Sequence, residues 1–177
     1  RRYDAFKQGQ ILPVFDPVKA GGALMDLNLY NLHFVMGLFG RPLKEIYYPN
    51  VEKNIDTSGV LVLEYDGFKA LCVGAKDCKG NAFVVLQGDQ GSIRCEYPAN
   101  LLGKVKLELN NGTVEEFDDG SQKERMIPEF KDFMTEINSG DYEACYRFLD
   151  KSVAVSDVQT DARRSAGIFF KADESFL

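Results

Sequence analysis

Three side chains able to do chemistry share one apolar stretch: Asp26, Tyr30 and His33, spaced i, i+4 and i+7. On an α-helix that spacing aligns them along a single stripe. A lone carboxylate buried among Leu24, Met25, Leu27, Leu29 and Leu32 is costly, so the stripe must either pair internally or face a wet cleft. In a cleft, the Tyr30 hydroxyl can pass a proton to or from a substrate oxygen, while Asp26 orients the substrate or holds the proton network. A framework reading stands beside this one. Asp26 can brace a loop, Tyr30 can be a core aromatic with its hydroxyl satisfied, and His33 can be a tucked-in surface imidazole. On spacing alone the framework reading outweighs the catalytic one, most of all for His33.

The stripe needs a helix to carry it. From Gly22 to Phe39 the chain reads as roughly five turns, apolar around most of its circumference and hence buried on several sides. Gly40 and then Pro42 close it. Before it, residues 1–20 read as a short amphipathic segment and a loop broken by Pro13, Asp16 and Pro17. After it the period changes to that of strands. Val60 to Tyr65 and Lys69 to Gly74 flank the hairpin signal Asp66-Gly67, and Val105 to Leu109 and Thr113 to Phe117 flank Asn110-Asn111-Gly112. Ala82 to Gln87 and Ser92 to Glu96 form another pair, with an earlier strand around Glu45 to Asn50.

Helical spacing returns at Ile127, Phe130, Met134 and Ile137, ending at Ser139-Gly140. Asp141 then caps a last helix that runs to about Ala166. The expectation is a single α+β domain over residues 1–177, an open, mostly antiparallel sheet of about six strands with helices packed on one face.

Composition narrows the partners. Lys and Arg number 21 against 27 Asp and Glu, a net charge of −6 that disfavours nucleic acid. No run approaches the roughly 20 apolar residues of a membrane span. The opening Arg1-Arg2-Tyr3-Asp4 lacks a starting Met and reads like the middle of a longer protein. Cys72, Cys78, Cys95 and Cys145 read as free thiols of a reducing cytoplasm. With His33 the single histidine and no CxxC pair, no zinc site is expected. Gly21-Gly22 is not a phosphate loop, because the pattern GxGxxG and a preceding strand are both missing. The basic residues Lys104, Lys106, Arg163 and Arg164 are interleaved with acids and read as solvated faces.

The run Ala20-Gly21-Gly22-Ala23-Leu24-Met25-Asp26-Leu27-Asn28-Leu29-Tyr30, with Leu38-Phe39-Gly40 beyond it, resembles the hallmark helix of the glucose–fructose oxidoreductase / inositol dehydrogenase (Gfo/Idh/MocA) family. Gly91-Ser92-Ile93-Arg94 with Tyr97-Pro98-Ala99-Asn100, Met126 to Phe133, and Ala162 to Ile168 extend the resemblance over nearly the whole chain. It implies the C-terminal domain of an NAD(P)-dependent oxidoreductase whose N-terminal Rossmann domain, with its E-K-P lysine, is absent here. NAD or NADP would then be bound mainly by that missing half.

By the resemblance Asp26 and Tyr30 are the catalytic pair, with Tyr30 at the family's acid–base position. Asn28 stands where Gly is usual, and Asn28 and His33 are expected to contact substrate. The implied substrate is a sugar, polyol or related secondary alcohol or carbonyl, and the implied assembly is a homodimer through the open sheet. The chain alone is expected to be inactive. The alternatives are a non-catalytic dimerising module and a small-ligand binding protein.

Overall fold

The computed structural model describes residues 2–101, 103–118, 120 and 126–176, the side chains of 174–176 apart. The fold is α+β, in two compact units: Arg1–Lys79 with Asp150–Leu177, and Gly80–Leu149.

In the first unit a short helix α1 (Arg2–Lys7) and a loop lead into a π-helical segment, Leu24–Asn28, that runs straight into α2 (Leu29–Phe39). Three antiparallel strands follow in the order β1 (Lys44–Glu52), β2 (Ile55–Tyr65) and β3 (Phe68–Ala75). Lys53 and Asn54, both at positive φ, turn β1 into β2. Asp66-Gly67 turns β2 into β3 as expected, with Gly67 at φ 82°. Register stacks Tyr47, Leu61 and Cys72 across the inner face. Against that face pack Leu32 and Val35 of α2, together with Val155, Val158 and Ala162 of α4 (Tyr142–Ser165). Burying each large aliphatic side chain contributes roughly 1.5–3 kcal/mol. A second cluster, Phe6, Phe15 and Ile55, fastens α1 and its loop, with the two phenyl rings stacked at 4.6 Å.

The end of this unit is locked by charge. Asp173 accepts from Arg163 at 2.7 Å, from Arg164 at 2.8 Å and from the Phe170 N–H at 2.7 Å. These bonds, led by Arg163, hold its carboxyl well below the usual carboxylate range.

The second unit is an antiparallel meander of β4 (Val84–Gln87), β5 (Gly91–Cys95), β6 (Val105–Leu109) and β7 (Val114–Phe117), joined by α3 (Ile127–Ser139) and the first turns of α4. Gly112 at φ 88° makes the expected turn before β7. Asp141 caps α4, accepting from the Ala144 N–H at 2.9 Å.

Three expectations change, the first being that Arg163 is buried against Asp173 rather than lying on a solvated face. The strands form sheets of three and four rather than one open sheet. The β2–β3 ladder closes at the Lys76 N–H, which donates to Thr57 O at 2.8 Å, and Gly80-Asn81 then break the extended run. The segment from Gly22 to Phe39 is also buried along one side, not several. Leu38 and Phe39 are exposed, and Phe39 meets the ring of Phe68 edge-on at 4.9 Å. No helix among the described residues is long and apolar enough to cross a membrane.

Candidate functional site

The helix carrying Asp26 and Tyr30 is fixed at its start by a residue that periodicity does not reveal. Asp56, near the start of β2, is buried, and its Oδ2 accepts from the Leu24 N–H at 2.7 Å and from the Tyr47 hydroxyl at 2.7 Å. A carboxylate here answers the unsatisfied amides and positive end of a helix N-terminus. Gly22 makes the approach possible: it sits at φ 118°, and a Cβ there would fall 3.0 Å from Asp56 Cγ and closer still to Oδ1. From the other side, Gln159 of α4 donates to Leu24 O at 2.9 Å. The π-helical segment between these anchors is a widened turn of the kind that recurs at functional sites.

Burial pushes the Asp56 carboxyl up from its ordinary value, against hydrogen bonds that pull it down. Tyr47 is driven well above the ordinary phenol range, first by burial and then by the Asp56 charge. A raised carboxylate pKa means that the native state holds this proton more tightly than the unfolded chain. Its contribution to stability is full below the usual carboxylate range and is lost as pH rises through the native value. Relative to Asp56→Asn, the wild type should therefore lose stability as pH climbs from about 4 and then level off. Urea unfolding across mildly acidic pH measures this, and a wild type that gained on the variant would mean the hydrogen bonds outweigh burial. Asp56→Ala should cost roughly 1–3 kcal/mol for each orphaned donor.

The four residues expected from sequence are placed differently from one another. Asp26 is half-exposed, with a side chain 45% accessible, and its Oδ2 meets Lys76 Nζ at 2.7 Å. Tyr30 is 44% exposed, and among the described residues none hydrogen-bonds to its hydroxyl. Neither is sealed in the interior. His33 is exposed on α2. Asn28 is fully buried: its Oδ1 accepts from Asn31 at 2.8 Å, its Nδ2 has no partner among the described residues, and its carboxamide faces Gly74 of β3. Packed against β3, it has no surface of its own to offer a ligand.

Lys76 was not singled out by the sequence, because its partner lies fifty positions away and it stands among ordinary surface charges. Its side chain is only 7% exposed. Nζ also donates to Val14 O at 2.8 Å and lies 5.4 Å from the centre of the Phe15 ring. A cleft of about 490 Å³ has Lys76 in its wall together with Arg2, Tyr3, Lys7, Asp77 and Cys78.

The cysteines are free, two buried (Cys72, Cys95) and two exposed (Cys78, Cys145). Burial pushes the Cys72 thiol up to about 12, which keeps it protonated and inert at neutral pH. Hydrogen bonding to Asp77 raises the Cys78 thiol. Gly21 and Gly22 do not cradle a phosphate. A Cβ on Gly21 would lie 2.8 Å from the backbone of Pro13 and Asp16, and Gly22 closes on Asp56. These glycines are packed against the protein's own chain, so this pair does not fit a dinucleotide pyrophosphate.

No protein-family model matches the chain. It is 29% identical over 176 residues to scyllo-inositol 2-dehydrogenase (NADP(+)) IolU of Bacillus subtilis, covering 98% of this chain and 53% of that protein. It is 24% identical over 173 residues to the uncharacterized oxidoreductase YgjR of Escherichia coli, covering 97% and 52%. The chain thus spans about half the length of the curated relatives it matches. Among solved structures, it aligns with KijD10, a 3-ketoreductase from Actinomadura kijaniata in complex with TDP-benzene and NADP, at a TM-score of 0.63 and 19% identity, over 82% of this chain and 47% of that one. An oxidoreductase from Agrobacterium radiobacter in complex with NAD+, L-tartaric acid and magnesium gives a TM-score of 0.61 and 14% identity, over 81% and 46%.

Proposed function

We infer that this chain, which has the fold of the C-terminal half of the Gfo/Idh/MocA-type oxidoreductases, is the substrate-binding half of an NAD(P)-dependent enzyme acting on a secondary alcohol or carbonyl of a sugar or polyol. The named activity of the Bacillus subtilis relative supports the substrate class. The observation that carries the reading is the half-exposed pair on one helix: a carboxylate fixed by a lysine and, one turn on, a phenol with no hydrogen-bond partner among the described residues.

On this reading Tyr30 exchanges a proton with the reacting oxygen of the substrate. Asp26, an acceptor, takes a hydrogen bond from a neighbouring substrate hydroxyl and so sets the carbon that reacts. Redox chemistry belongs to the nicotinamide, whose binding we assign to the half of the relatives that this chain does not span. We place the protein in the cytoplasm, in keeping with its free thiols.

We also propose that the outer face of the three-stranded sheet is a homodimer surface. Register and alternation put Ile46, Val62 and Leu71 in one row of that face and Tyr48, Val60 and Val73 in the next. Tyr48, Leu71 and Val73 are 60%, 68% and 65% exposed. An apolar sheet face of this kind is normally covered.

The test is turnover by the full-length protein containing this chain. With NAD+ or NADP+ and a panel of inositols and sugars, absorbance of the reduced nicotinamide should rise for at least one polyol, while the 177-residue chain alone should leave nicotinamide fluorescence unchanged. A full-length protein that neither binds nor reduces either nucleotide would leave the non-catalytic module as the better description.

A further inference from the structure

Lys76 is a nearly buried cation held from three directions. Its backbone N–H extends the β2–β3 ladder to Thr57 O. Its Nζ donates to Val14 O at 2.8 Å, and the same carbonyl accepts from the Gly22 N–H at 3.1 Å. The third tie is the ion pair to Asp26 at 2.7 Å. The ammonium therefore joins the end of β3, the loop before the helix and the π-helical segment.

A buried charge survives only where partners satisfy it, and truncating one partner leaves the other uncompensated. Here the two ends of the pair differ in exposure: the lysine is 7% accessible and the carboxylate 45%. Lys76 thus engages Oδ2 of Asp26 from the protein side, while the Asp26 side chain as a whole keeps 45% of its surface accessible. A surface ion pair between two flexible side chains would restrain neither. This one has its cation packed beside Phe15 and bonded to backbone, so it restrains the carboxylate.

We propose that Lys76 is the positioning residue of the site, holding Asp26 through Oδ2 so that its other oxygen accepts a hydroxyl of a neutral polyol substrate. The proposal rests on the catalytic reading of Asp26 given above. Lys76 acts through Asp26 and touches neither substrate nor nicotinamide.

A double-mutant cycle in the full-length protein tests it, using Lys76→Met, Asp26→Asn and both together, with kcat and KM measured on the polyol that the wild type turns over best. Lys76→Met removes the charge and keeps the stem. Loss of carboxylate placement should lower kcat/KM about 10- to 100-fold, as small misplacements at a reacting centre do. In the Asp26→Asn background the same change should cost less than about threefold, because the group being placed has already gone.

Thermal midpoints of all four proteins are read alongside. If Lys76→Met does not fold, Lys76→Gln, which keeps a neutral donor on a shorter stem, replaces it in the cycle. Equal losses in both backgrounds would make Lys76 a purely structural residue and overturn the proposal, as would unchanged kcat/KM in the lysine variant. An inert Asp26→Asn would instead sink the catalytic reading itself, and this proposal with it.

Discussion

Replacing Tyr30 with Phe in the full-length protein is expected to lower kcat by about 10²- to 10⁴-fold, the range that a positioned acid–base group contributes, while stability stays within roughly 0.5 kcal/mol of wild type. The two halves of this expectation come from the same observation. The ring is 44% exposed, and among the described residues none bonds to its hydroxyl. Deleting that oxygen therefore breaks no hydrogen bond among the described residues and leaves no buried partner there unpaired, which is the usual source of a large cost in a Tyr→Phe change. A framework tyrosine would behave the opposite way, losing stability and keeping turnover. Tyr47, whose hydroxyl donates to the buried Asp56 at 2.7 Å, supplies that contrast inside the same unit. Its Phe variant should lose roughly 1–3 kcal/mol and keep its kinetic constants near wild type. Urea unfolding and steady-state kinetics on both variants decide the matter, and a Tyr30→Phe enzyme with near-normal kcat removes Tyr30 from the chemistry.

What made the fold legible was local. Gly67 and Gly112 occupy positive-φ turn positions, and Gly40 and Gly140 end helices at φ 75° and 66°. At each of them a residue without Cβ is the low-strain solution, so glycine marks the boundary in the sequence itself. The start of β2 was not legible. Ile55 to Gly59 includes Asp56, Thr57 and Ser58, which suggest a loop, yet all three are buried. They are tolerated inside because each finds a partner: Asp56 holds the helix amide, and Thr57 and Ser58 both donate to Asp77 Oδ2, at 2.9 and 2.6 Å.

The site shows the same division. Asp26 and Tyr30 could be named from spacing and resemblance, because both signals lie within one helix. Asp56 of β2 and Lys76, just past the end of β3, fix that helix and its carboxylate from far along the chain. Nothing in a one-dimensional pattern distinguishes such residues from charges that stay on the surface. The π-helical geometry at Leu24–Asn28 was equally hidden, since π and α turns draw on the same residue types.

Gly22→Ala should be the most damaging single substitution available near the site, costing more than about 4 kcal/mol, a range reserved for named structural failures. Two penalties combine. At φ 118° an alanine is strained whatever space surrounds it, worth about 1–3 kcal/mol. The added methyl would also overlap the Asp56 carboxylate, whose Cγ would stand 3.0 Å from the new Cβ with Oδ1 nearer still. Asp56 cannot retreat cheaply, because the Leu24 N–H and the Tyr47 hydroxyl both depend on it within a buried pocket. Displacing it would unpair the helix N-terminus that sets where Asp26 and Tyr30 point.

Gly9 isolates the first penalty from the second. It too has positive φ, at 94°, but nothing lies within 4 Å of its would-be Cβ. Gly9→Ala should thus lose only the backbone strain, about 1–3 kcal/mol. The difference between the two variants in urea unfolding measures the Asp56 contact directly. Should they lose the same stability, the close approach of Gly22 to Asp56 would have no energetic weight, and the helix bearing the candidate site would need another anchor.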